Sequence, residues 1–142
     1  MSSEPDRYPI EEKIVPLVYA FNTARVTPPC WSCEGHVNET DGEIQKYPRV
    51  WFYSRSVLYP RLVAEHIDSL LFKKSIAHAW CVRVISWASS LDTRFCIEPS
   101  LSPNEKASLP ALQKEVKVIA ETLNAGIREK ASVYLRAMPA VR

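Results

Sequence analysis

The feature that most constrains this chain is a run of apolar residues near its C-terminus. Leu109, Leu112, Val116, Ile119, Leu123, Ile127, Tyr134 and Met138 recur at steps of three and four, with Lys and Glu between them. That spacing puts the apolar side chains on one stripe of a long helix and the charges on the other, so the helix needs a surface to bury its stripe against. Gly126 falls inside the run and is expected to weaken or bend it. The Lys/Glu alternation reads most simply as a solvated face.

The surface is supplied upstream. Arg49 to Ser54 contains Val-Trp-Phe-Tyr, a dense run of β-formers that reads as a buried strand. Ala79 to Ala88 alternates and is rich in Trp, Val and Ile. Ser89 to Asp92 carries turn chemistry, and Thr93 to Glu98 resumes a strand, giving a β-hairpin closed by Pro99. Between these strands Leu58, Leu62, Val63, Ile67, Leu70 and Leu71 trace one helical face, with Ser56 placed to cap it and Pro60 in its first turns. A first amphipathic helix spans Ile10 to Ala24. Pro16 either kinks it or sits in the first turn of a new helix.

Val26 to Trp31 contains Pro28 and Pro29, which cannot donate to a ladder, so it is read as an edge strand. His36 to Pro48 is polar and carries Asp41-Gly42, and is read as a surface loop. The summed order is α-β-β-α-β-β-α. The expected architecture is α+β, a mostly antiparallel sheet of about four strands with three helices packed on it. At 142 residues the chain fits one domain, 1–142, with 1–8 as a polar N-terminal tail, and its 46% hydrophobic and 24% charged content is that of an ordinary globular protein.

Composition excludes some functions. No apolar run approaches a membrane span, and the polar, acidic start is unlike a secretory signal, so a cytoplasmic protein is expected. In that compartment Cys30, Cys33, Cys81 and Cys96 are expected as thiols or metal ligands rather than disulfides. A net charge of +2 gives no support for nucleic acid. Trp31, Trp51, Trp80 and Trp87, with Phe52, Tyr53 and Phe95, read as core rather than as a base-stacking platform, because Arg83 and Arg94 alone are too few basic residues for one. His66 reads as a surface or groove residue and His78 as a loop histidine.

The chemically suggestive segment is Cys30-Trp31-Ser32-Cys33-Glu34-Gly35-His36. Thiolate with imidazole is zinc chemistry, and Cys30, Cys33 and His36 have a C-x-x-C-x-x-H spacing. Residues three apart in extended chain point to opposite faces, however, so Cys30 and Cys33 need not converge. Gly35 lets the backbone curl between Cys33 and His36, making those two the pair expected to share a pocket. Further ligands to zinc would come from Cys96, Cys81 or His78. An enzymatic reading makes Cys33 a nucleophile, His36 its base or activating cation, and Glu34 an orienting or acid group. A third reading takes Ser32 to His36 as a turn whose backbone N–H groups, Ser32 and Gly35 among them, bind an anion with help from Arg25, Arg49 or Arg55.

The Ser32-Cys33-Glu34-Gly35-His36 turn, followed by a loop and Val50-Trp51-Phe52-Tyr53, resembles that of small uncharacterised microbial α/β proteins with a Ser-Cys-x-Gly-His turn after the first helix and strand. More distantly it is similar to the wybutosine-tRNA-modifying methyltransferase family, which has a Ser-rich turn of comparable shape. The likeness spans about the first 55 residues and implies a strand-end site centred on Ser32, Cys33 and His36, without an established activity. A methyltransferase activity is not carried over, since Gly35, Gly42 and Gly126 are the only glycines and none forms a cofactor loop. The function expected is ligand binding, metal binding or thiol chemistry at Cys33/His36, with enzymatic activity left open. The alternative is a non-catalytic interaction or structural protein, dimerising through the C-terminal helix.

Overall fold

The computed structural model describes residues 9–86 and 93–137. Their order is a 3-10 turn (Glu12–Ile14), α1 (Val15–Ala24), β1 (Pro29–Cys33), β2 (His36–Val37), β3 (Ile44–Lys46), β4 (Arg49–Ser54), α2 (Leu58–Phe72), β5 (Trp80–Ser86), β6 (Thr93–Pro99) and α3 (Leu109–Ala137). Strands β1, β4, β6 and β5 lie side by side in that order as one antiparallel sheet, and β2 pairs with β3 in a separate hairpin. The expected α+β architecture and element order are therefore those observed.

Pro16 occupies the second position of α1, where its missing N–H costs nothing. The segment before it winds as the 3-10 turn, so the helix begins afresh at Val15 rather than kinking. Ser56 accepts the Leu58 N–H at 3.1 Å at the start of α2. The segment read as a loop, His36 to Pro48, contains the β2–β3 hairpin. Both strands lie at the surface, so their polar residues carry no strand signature, but the Asp41-Gly42 signal does mark the turn: Asn38 N–H donates to Glu43 O and Gly42 N–H to Asn38 O, each at 2.7 Å. The expected turn at Ser89–Asp92 lies outside the described residues.

All three helices serve one face of the sheet. Along β4 the side chains alternate, with Val50, Phe52 and Ser54 buried against the helices and Arg49, Trp51 and Tyr53 half-buried on the other face. Phe52 stacks between Phe21 of α1 at 4.7 Å and Phe95 of β6 at 5.8 Å, joining helix layer to sheet. Leu112, Val116, Ile119 and Leu123 of α3 are fully buried in the same cluster, which is the stripe the sequence pattern required.

Helix α3 runs without a break through Gly126, and the reason lies in α2. His66, read as a surface or groove residue, is 7% exposed, and its imidazole occupies the space a side chain at 126 would take. The Thr122 hydroxyl donates to Val118 O, so it accepts from His66 Nε2–H at 2.8 Å, leaving Nδ1 unprotonated beside Gly126. Burial, with Lys130 adding to it, holds the His66 pKa below the usual histidine value. His78 is likewise tied down: buried Glu115 of α3 accepts from His78 Nδ1 at 2.8 Å, Trp80 Nε1 at 2.9 Å and the Ala77 N–H at 3.0 Å. Trp80 is core as expected, whereas Trp31 and Trp51 lie on the face away from the helices.

Candidate metal centre

Strand β1 ends at Cys33, and the chain reverses through Glu34-Gly35 to start β2 at His36. Gly35 is required here on two counts. Its φ is +92°, and a Cβ would lie 2.5 Å from Leu109 Cδ1 and 3.0 Å from the Lys46 carbonyl oxygen. The turn is locked to the N-terminal segment by Glu34, whose carboxylate accepts the Lys13 N–H at 2.7 Å, and to α3 by Gln113, whose Nε2 donates to Glu34 O at 3.0 Å.

Those contacts bring Glu11, the residue before the 3-10 turn, onto the motif. Its Oε1 accepts the Glu34 N–H at 3.3 Å and its Oε2 lies 2.8 Å from His36 Nε2. The Gly35 N–H points at Cys33 Sγ, 3.4 Å away. A Glu11 carboxylate oxygen, Cys33 Sγ and a His36 ring nitrogen all lie within 4.8 Å of one another, a group able to hold a metal ion. Cys33 is fully buried at the floor, while the His36 side chain is 41% exposed at the mouth. Burial pushes the Cys33 thiol above its ordinary range and nearby Glu11 adds to this, against the opposing pull of the Gly35 N–H, Arg49 and Lys46.

The structure thus unites Cys33 and His36 as expected, and adds Glu11. The other residues singled out from the sequence lie elsewhere. Cys30 sits at a bulge in β1, close to Tyr53 and Arg94, and is not part of the group. Cys96 is two strands from Cys33 and two residues along, about 12 Å by strand geometry, too far to ligate the same ion. Its thiol is pushed up to about 12 by burial. All four cysteines are free thiols. Glu34 faces the Lys13 amide and braces the turn. Ser32 pairs with Val50 inside the sheet. The expected anion-binding turn is filled from within, because the Glu34 and Gly35 N–H groups are taken by Glu11 and Cys33. Arg49 lies over Trp31 and 4.0 Å from Glu98, and Arg55 lies beyond the other end of β4, about 20 Å along the strand from Arg49.

Glu11 was missed because nothing in local spacing links a carboxylate ahead of the first helix to a turn after the first strand. A cleft of about 450 Å³ lies between the β2–β3 hairpin and the segment entering α3, lined by Val37, Ile44, Tyr47, Lys106 and Leu109 among others but by none of Glu11, Cys33 and His36. Comparison with known proteins finds no matching family, no matching curated protein and no matching solved structure.

Proposed function

We propose that this chain is a metal-binding α+β protein, with zinc held by Cys33 Sγ, His36 Nε2 and Glu11 Oε2 and a fourth position open to water or a ligand on the exposed His36 side. The observation that carries the reading is the convergence of thiol, imidazole and carboxylate within 4.8 Å. Thiolate, imidazole and carboxylate are all zinc ligands, and three protein ligands with one open position is the pattern of centres that do chemistry rather than merely hold a fold. The Glu11–His36 pair needs little movement. Ligands of a tetrahedral zinc stand about 3.3 Å apart for nitrogen and oxygen, so Glu11 and His36 would separate by about half an ångström from their present 2.8 Å.

The surroundings fit the same role. Glu34 N–H holds one Glu11 oxygen and so orients the other toward His36, and the Gly35 N–H is placed to stabilise a thiolate. Burial keeps an unassisted Cys33 protonated, which disfavours a free-standing thiol nucleophile, whereas a bound cation would deprotonate it.

The test is metal content after equilibration with zinc and removal of the excess, together with the absorption spectrum of the cobalt-loaded protein. One equivalent of metal, a sulfur-to-cobalt band lost in Cys33→Ser, and weakened uptake in His36→Ala and Glu11→Gln are expected. Uptake of metal by Cys33→Ser as tight as by the parent, or no stoichiometric uptake by the folded parent, would overturn the reading.

A further inference from the structure

The β2–β3 hairpin decides which side chains stand beside the candidate metal centre. His36 and Lys46 are direct partners across its two strands, so both side chains leave the same face, their Cα atoms about 4.5–5.5 Å apart. The next pair, Val37 and Ile44, leaves the opposite face and lines the cleft beside α3. Lys46 is therefore carried on the His36 side, and its four-carbon stem lets the ammonium reach the mouth of the site. Its backbone is tied to the same turn, for the Lys46 carbonyl oxygen is one of the atoms that leave no room for a Cβ at Gly35. Lys46 escaped the sequence reading because a segment taken as a loop names no facing pairs.

The charges around the centre are uneven. Arg49 and Lys46 are the cations that act on the Cys33 sulfur, and Glu11 is the carboxylate. Arg49 is engaged elsewhere, over Trp31 and 4.0 Å from Glu98. Glu34 turns its carboxylate to the Lys13 N–H. Lys46 is exposed and has no ion-pair partner among the described residues. Once a divalent metal stands on thiolate, carboxylate and neutral imidazole, its charge is met by its own ligands, and the Lys46 ammonium is the charge left over.

We propose that the open position of this centre takes a small oxyanion, a carboxylate or phosphoryl group, with one oxygen on the metal and another on the Lys46 ammonium. The inference rests on the metal reading given above. An oxyanion carries several oxygens on one atom, so it answers a metal and a neighbouring ammonium at once. Water or another neutral ligand answers the metal alone, and a cation is repelled by both. The His36 side chain is 41% exposed, so a small group reaches the position from solvent without opening the fold.

The experiment follows the visible bands of the cobalt-loaded full chain during titration with acetate and, separately, with inorganic phosphate, the ionic strength being held with perchlorate, a poor ligand. Cobalt uptake is counted first, before any anion is added. A saturable change in the bands is expected with at least one of the two anions, and the tighter one tells a carboxylate from a phosphoryl ligand. Lys46→Gln should still take up one equivalent of cobalt and bind that anion about tenfold more weakly, the loss of one charge-assisted contact, while Lys46→Arg keeps most of the affinity. Lys46 is exposed, so neither variant disturbs the core. A folded parent that takes up no cobalt overturns the metal reading and this inference with it. One equivalent of cobalt with no change in the bands up to about 100 mM of either anion overturns the inference alone. So does equal affinity in Lys46→Gln.

Discussion

Gly126→Ala is a perturbation whose sign separates two accounts of the long helix. A glycine on an exposed helix face gains about 1 kcal/mol on replacement by alanine. Here the new Cβ would lie 2.0 Å from His66 Nδ1 and 2.4 Å from Cγ and Cε1. Ordinary contact is about 3.5 Å, so the imidazole must retreat by about 1.5 Å in a buried site. That movement breaks the 2.8 Å bond from Nε2–H to Thr122, worth about 1 kcal/mol, and forces repacking that costs about 1–3 kcal/mol. Set against the helix gain, the net loss is about 2 kcal/mol, or about 6 °C in Tm for a chain of this size. Urea and thermal unfolding followed by circular dichroism measure it. The decisive comparison is the double variant with His66→Ala, which clears the space: in that background Gly126→Ala should become neutral or stabilising, a coupling of about 2 kcal/mol. A single Gly126→Ala variant more stable than the parent would refute the reasoning.

Three further outcomes follow from buried polar groups and one turn. Because the folded His66 binds its proton less readily than the unfolded chain, the unfolded state gains protons first as pH falls. Stability should therefore decline as pH drops below about 6.5 and level off below the folded value, and His66→Gln should remove this part of the pH dependence in urea midpoints measured across that window. Glu115→Ala should cost about 3 kcal/mol in urea unfolding by stranding the donors of Ala77, His78 and Trp80, with Glu115→Gln losing less; an equal loss in both would show that charge rather than acceptor capacity matters. Gly35→Ala should lose about 2 kcal/mol and weaken zinc uptake together, since it strains the turn between two ligands; unchanged uptake in calorimetry would detach the turn from the metal centre.

How much of this was legible in the sequence depends on the range of the interaction. Helices and strands with one buried face declare themselves by period, as α2, α3 and β5 did, whereas β4 reads from its dense β-formers as a buried strand and is buried on alternate residues only. The β2–β3 hairpin did not, because neither face of its short strands is buried enough to impose alternation. Cys33 and His36 could be paired from the glycine between them, a local argument. Glu11 could not, since its approach depends on Glu34 gripping the Lys13 amide and Gln113 gripping Glu34 across the fold. His66 and Gly126 were each misjudged separately for a related reason: a buried histidine and a helical glycine explain one another only when α2 and α3 are packed together.

The two borders of the sheet differ in a way that bears on how the protein behaves when crowded. A strand border offers unpaired N–H and C=O groups on which another chain can add. At the start of β1, Pro28 and Pro29 lack the N–H, and the bulge between Pro29 and Trp31 breaks the regular repeat. That border is a poor template for cross-chain growth. The opposite border, β5, has no proline along it, carries a charge only at Arg83, and keeps a regular ladder from Trp80 to Val84 before its own bulge ahead of Ser86. Arg83, inside that regular stretch, therefore helps to guard the sheet against adding a foreign strand, and neutralising it trades solubility along with whatever else it holds.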